Sequence, residues 1–142
     1  MQTFLPYSDF LSSAGCLDSK RLWKQVLEAD QILRTLAGVR QGWQNHPAVR
    51  MWRGYEDALL SYRDTIVQEW LRRRLYAPPG IVRIAPPCEP PPWLGDPRLH
   101  ASHRSALLAK DPDHYGQFNW PEEPMNLTLK PLAYYWPTRG EF

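Results

Sequence analysis

The run from Ala77 to Pro97, with its motifs PPG, PP, PPP and DP, limits most what this chain can fold into. Proline fixes φ and removes a backbone N–H, so no helix continues through such a run, and extended or polyproline geometry is favoured. Long helices must therefore lie before it or after it. Ile81, Val82, Ile84, Trp93 and Leu94, interspersed among the prolines, predict a connector packed onto the helices and not a loose linker.

Before the connector, Leu17 to Ala37 reads as a long helix, N-capped by Asp18 and ended by Gly38. At about 100° per residue, Leu22, Val26, Ala29, Ile32, Leu33 and Leu36 share one stripe, the expected core face. A short helix from about Ser8, stopped by Gly15, precedes it. His46-Pro47 opens a second helix with proline near its first position. Along it Trp52, Tyr55, Leu59, Tyr62, Ile66 and Trp70 recur at helical intervals on one face. After the connector, Asp96-Pro97 starts a third helix, Arg98 to Lys110, which Asp111-Pro112 ends. The expected fold is all-α: a compact single domain over 1–142, about three main helices, a proline-rich connector at 77–97 and an irregular C-terminal tail.

A chain of 142 residues suits one core, and seven Trp, seven Tyr and four Phe supply large side chains to fill it. No apolar run reaches membrane-spanning length, and MQTFLPYSDF lacks the basic start and apolar stretch of a signal peptide. Cys16 and Cys88 form no CxxC pair and read as reduced thiols. The expectation is a cytoplasmic monomer. Net charge is only +2, so the positions of the cations must carry any argument about an acidic partner. They cluster at Lys20, Arg21 and Lys24, at Arg50 and Arg53, at Arg72 to Arg74, and at Arg98, His100, His103 and Arg104.

Three constellations carry chemistry. On the first long helix Asp18, Arg21, Gln25 and Glu28 fall along one flank of the apolar stripe with Lys24 beside them, so acids and bases crowd one edge where proton affinities can be pulled apart. An ordinary surface ion-pair network is the bland alternative. On the third helix His100, His103 and Arg104 suit phosphate contacts or a proton relay, a shared metal ion being the competing use. The missing HExxH or CxxC partners argue against that metal, and no cofactor is called for. In GWQNHPAVRMWRGYEDAL, Asn45 and His46 lie at a helix start, where free N–H groups favour a phosphate, with Arg50 and Arg53 further in. GxGxxG, Walker, GxSxG and EF-hand patterns are absent.

The segments LDSKRLWKQVLEADQIL, GWQNHPAVRMWRGYEDALLSYRDTIVQEWLRR and PPWLGDPRLHASHRSALLAKDPDHY together resemble the pyrimidine-dimer DNA glycosylases, the family named for phage endonuclease V, and are closer to its bacterial branch. The resemblance implies a compact helical enzyme that excises one base of a pyrimidine dimer and then nicks the abasic site. In the phage prototype the N-terminal α-amine attacks sugar C1′ to form an imine, and a carboxylate on the first long helix assists. There the initiator Met is removed; here Gln2 is bulky and keeps Met1, so the nucleophile is the Met1 amine, or Lys24 or Lys20. Where the prototype carries its acid this chain has Lys20-Arg21-Leu22, and Asp18 and Glu28 are the nearest substitutes, with Glu56 next. DNA contacts fall to Arg21, Lys24, Lys20, Gln25, His103 and Arg104, with Asn45, His46, Arg50, Arg53, His100 and Tyr115 behind them. The partner is DNA, expected as a duplex with a damaged base. A base inside a duplex must be extruded to react, and Trp43, Tyr115 or Trp120 is a candidate wedge. A non-catalytic DNA-binding relative and a metal-dependent nuclease or hydrolase are the rival readings.

Overall fold

The computed structural model describes residues 1–39 and 41–138, and these form six α-helices and no strand. They are α1 (Phe10–Cys16), α2 (Ser19–Leu36), α3 (Pro47–Trp52), α4 (Glu56–Arg72), α5 (Pro97–Lys110) and α6 (Pro112–Tyr115), followed by one 3-10 turn, Gly116–Phe118. The three longest, α2, α4 and α5, are the main helices the periodicity predicts. No helix among the described residues is long and apolar enough to cross a membrane.

Local signals explain the helix ends. Asp18 accepts the Arg21 N–H and Asp96 the Arg98 N–H, each side chain satisfying an orphan donor of its first turn. Gly38 follows α2 in the left-handed conformation, φ +80°. The second expected helix is two. Gly54 takes φ +87°, open to glycine and costly for other residues, and α4 restarts at Glu56, whose carboxylate accepts the Gly54 N–H. Gly15 lies inside α1 and does not stop it.

Helix α2 packs against α4 and α3, and α1 against α4. Leu22, Val26, Ala29 and Ile32 of α2 meet Leu59, Tyr62 and Ile66 of α4 in a core that also takes Trp52. The connector closes this core only in part. Trp93 is buried, donates its indole N–H to the Met51 carbonyl at 3.0 Å and meets Trp52 edge-on. The Ile81 carbonyl accepts from Arg63, a fully buried guanidinium that also pairs with Asp30 at 2.7 Å. Val82 and Ile84 do not pack as expected: Val82 is 44% and Ile84 90% exposed, while Ile81 between the same prolines rests on the core.

The N-terminal segment determines where the site lies. Residues 1–5 belong to no helix or strand, so side chains must satisfy their backbone groups. Buried Gln25 accepts the Phe4 N–H at 2.8 Å and donates to the Gln2 carbonyl, while Tyr62 donates to the Phe4 carbonyl. His103 Nδ1 accepts the Leu5 N–H, and His100 Nδ1 donates to the Leu5 carbonyl at 2.7 Å. Trp52 donates to Thr3, and Arg104 to the Pro6 carbonyl. Gln25, Tyr62, His100 and His103 are thus clamps on one segment, and they hold Met1 along the flank of α2.

Burial holds His103 down, to about 3, with a smaller push from His100, itself lowered by burial. The unfolded chain binds these protons near the ordinary histidine value of about 6.5 and the folded one does not, so stability is complete above that pH and declines as pH falls toward 3. Up to about 1.4 kcal/mol per pH unit per histidine is lost. The urea midpoint is expected to drop between pH 7.5 and 5, and less steeply in His103→Gln. Equal slopes in the two proteins would remove His103 from the account.

Candidate active site

Along α2, Lys20, Lys24 and Glu28 follow at i, i+4 and i+8, with Arg21 and Gln25 beside them, so the helical repeat puts all five on one face. The clamped N-terminal segment lies across that face. Between them opens a cleft of about 400 Å³. Lys20, Arg21, Lys24, Gln25 and Glu28 form one wall; Met1, Gln2 and Phe4 the floor; Lys110 from the end of α5, with Leu132 and Tyr134 from the tail, the other side.

Its electrostatics are lopsided. Arg21 pairs with Asp18 at 3.2 Å, outside the cleft, whereas Lys20, Lys24 and Lys110 make no ion pair among the described residues. Burial lowers the proton affinity of Lys110, and the charges of Arg21, Lys24 and Lys130 lower it further. Such crowding is unfavourable in the empty protein and is relieved when an anion enters. Glu28 is the acid of this cleft. Its Oε2 is buried without a hydrogen-bond partner, and a buried acceptor left unmet costs about 1–3 kcal/mol. Asp18 is fully occupied instead: it caps α2, pairs with Arg21 and accepts from the Tyr115 hydroxyl. Burial raises its proton affinity, but those hydrogen bonds outweigh it and hold the carboxyl below its ordinary value.

Several residues marked as DNA contacts have other duties. His103 is fully enclosed and His100 nearly so, both spending Nδ1 on Leu5, while His100 Nε2 accepts the Gly95 N–H, so they offer neither a phosphate nor a metal a free face. No three His, Cys, Asp or Glu side chains among the described residues come together in a metal-like group. Arg104 forms a bidentate pair with Glu122 at 2.7 and 2.9 Å. Gln25 reaches the cleft as a clamp, with almost no surface. Tyr115 is fully buried, and Trp120 stacks with both Tyr115 and Phe118. Arg72 and Arg73 both bind Glu69.

The loop before α3 is different again. His46 Nδ1 accepts the Ala48 N–H, so the first free donor of this short helix goes to the histidine's own ring and not to a phosphate. Burial, then the charge of the Met1 amine, lowers the proton affinity of His46. Arg53 donates to Gln44, Arg50 to the Thr138 carbonyl, and Asn45 is exposed beside them. Sequence reasoning found the α2 wall and Met1. It missed Lys110 as a cleft residue, and Leu132 and Tyr134 altogether, since no local pattern links a tail residue to a helix flank a hundred positions earlier.

The sequence model of the pyrimidine dimer DNA glycosylases matches residues 1–77, more than half of the chain. The chain belongs to this family. The matched residues include the floor of the cleft and its whole α2 wall; Lys110, Leu132 and Tyr134 lie beyond them. No curated protein and no solved structure matches the chain. Membership of the family makes DNA the substrate, and the unpaired cations lining the cleft are of the right sign for it.

Proposed function

We propose that the protein excises damaged pyrimidines, pyrimidine dimers first among them, from duplex DNA, and that it cleaves the resulting abasic site through an imine. The observation that supports this best is the meeting of Met1 and the unpaired carboxylate of Glu28 in one cleft walled by Lys20, Lys24 and Lys110.

The chemistry follows from these groups. The neutral Met1 amine attacks C1′ of the damaged nucleotide; the bond from C1′ to the base breaks, the base keeps the electron pair and is protonated. Loss of the amine proton and opening of the sugar ring give the imine, for which the ring oxygen must gain a proton. Glu28 can supply it as the acid, and as carboxylate it stabilises positive charge growing at C1′. Removal of a C2′ proton then expels the 3′ phosphate. The lysines hold the phosphates that flank the sugar, and Arg21, already partly neutralised by Asp18, adds to the same wall.

The test is a duplex carrying one cyclobutane pyrimidine dimer. Base release and strand incision are expected with wild type. Binding should weaken steeply with salt, and Lys20→Met, Lys24→Met and Lys110→Met should each lower the slope of log affinity against log salt by about one unit. Arg104→Met should leave that slope unchanged, its guanidinium being held by Glu122. Salt-dependent binding without base release would favour a non-catalytic relative, and salt-independent binding would remove the cleft from DNA recognition.

A further inference from the structure

Of the seven tryptophans, six are buried or half-buried, and Trp43 stands 59% exposed. Its backbone is left-handed, φ +69°, a conformation that costs a bulky L-residue stability and that glycine adopts freely. The position thus carries two penalties at once, an indole in water and a strained backbone, and neither serves the core.

The loop that bears it is nonetheless anchored. The Trp43 carbonyl accepts the His46 N–H at 3.0 Å; Gln44 donates to the Thr35 carbonyl at 2.7 Å, and Arg53 holds both the carbonyl and the side-chain oxygen of Gln44. The indole meets the His46 ring edge-on at 5.9 Å. From His46 a further chain of rings runs through Trp136 to Tyr134, which lines the cleft. An exposed aromatic plate on an anchored loop is therefore joined by ring contacts to the cleft that Met1 lines.

We propose that Trp43 enters the duplex at the lesion and occupies the stacking space left by the displaced nucleotide. The inference rests on the glycosylase reading above and adds the residue that opens the helix. Extrusion loses base stacking, and an indole inserted in its place restores part of it. The anchoring matters because a loop already held in position loses little freedom on insertion. The strain is consistent with this use: a residue that served only the turn would be glycine.

The experiment uses the full chain with Trp43→Ala, Trp43→Gly and Trp43→Phe. The first readout is base release from a dimer-containing duplex relative to the same damaged strand alone. That ratio should fall about ten- to a hundredfold in Trp43→Ala and Trp43→Gly, the size of one base–aromatic stack, and recover in Trp43→Phe. Melting temperatures should not fall, least of all in Trp43→Gly, which removes the strain. The second readout needs no catalysis: the emission of 2-aminopurine beside the lesion should change when wild type binds, its stacking neighbour being exchanged for an indole, and should not change with Trp43→Ala. Unchanged 2-aminopurine signals across the variants, or equal losses on duplex and single strand, would overturn the wedge. Absence of base release by wild type from either substrate would instead count against the glycosylase reading, and the fluorescence readout would still decide on Trp43. Recruitment of a protein partner by this residue predicts no effect in either DNA assay.

Discussion

Glu28→Gln is expected to lower base release from a dimer-containing duplex by about a hundred- to ten-thousandfold, the usual contribution of a positioned acid or base, while DNA binding is retained or tightened. The direction of the binding effect follows from charge: the substitution removes the acid from a cleft otherwise lined by Lys20, Lys24, Arg21 and Lys110, and the ligand is a polyanion. Stability should change little, because Oε2 of Glu28 is buried without a partner and no hydrogen bond is lost. Asp18→Asn is the counterpart. It keeps an oxygen for the α2 cap but removes the charge that pairs with Arg21 and accepts from Tyr115, so about 1 kcal/mol of stability should be lost with turnover largely intact. Measuring kcat, affinity and melting temperature for both variants separates the two carboxylates. Wild-type turnover in Glu28→Gln would place the acid elsewhere.

Borohydride added during turnover should trap a covalent protein–DNA species that maps to the N-terminal peptide, and acetylation of the Met1 amine should reduce that species to background. An imine is the only intermediate of the proposed scheme that hydride converts to a stable secondary amine, so trapping reports the attacking nitrogen directly. Met1 lies on the cleft floor because Gln25, His100 and His103 hold the backbone of residues 2–5. Lys24 and Lys110 face the same cleft and are the competing amines. Lys24→Gln and Lys110→Gln should therefore spare trapping even though both weaken binding. An adduct on either lysine, or one that survives acetylation, would reassign the nucleophile; base release without any adduct would mean that water attacks.

Much of the α2 wall was legible in the sequence. The Asp18 cap, the Gly38 stop and the stripe from Leu22 to Ile32 are local signals. Once the helix is granted, its repeat alone puts Lys20, Arg21, Lys24, Gln25 and Glu28 on one face. The same holds for α5, bounded by Asp96-Pro97 and Asp111-Pro112. The break between α3 and α4 was less visible: an apolar repeat runs straight across Gly54, and only the backbone angle of that glycine tells a helix from two.

Which charged groups remain available for chemistry was decided by contacts between distant parts of the chain. Asp18 and Glu28 were equal candidates in the sequence; Tyr115, 97 residues from Asp18, occupies the first, and nothing occupies Oε2 of the second. Arg104 is paired with Glu122, and His100 and His103 became clamps on Leu5, 95 and 98 residues away. Lys110 moved the other way, from the end of a helix to the edge of the cleft. Helix ends and faces depend on neighbours within a turn or two, so the sequence alone determined them. The availability of a charge depends on which opposite charge or orphan backbone group folding brings within about 3 Å, and only the tertiary structure decided that.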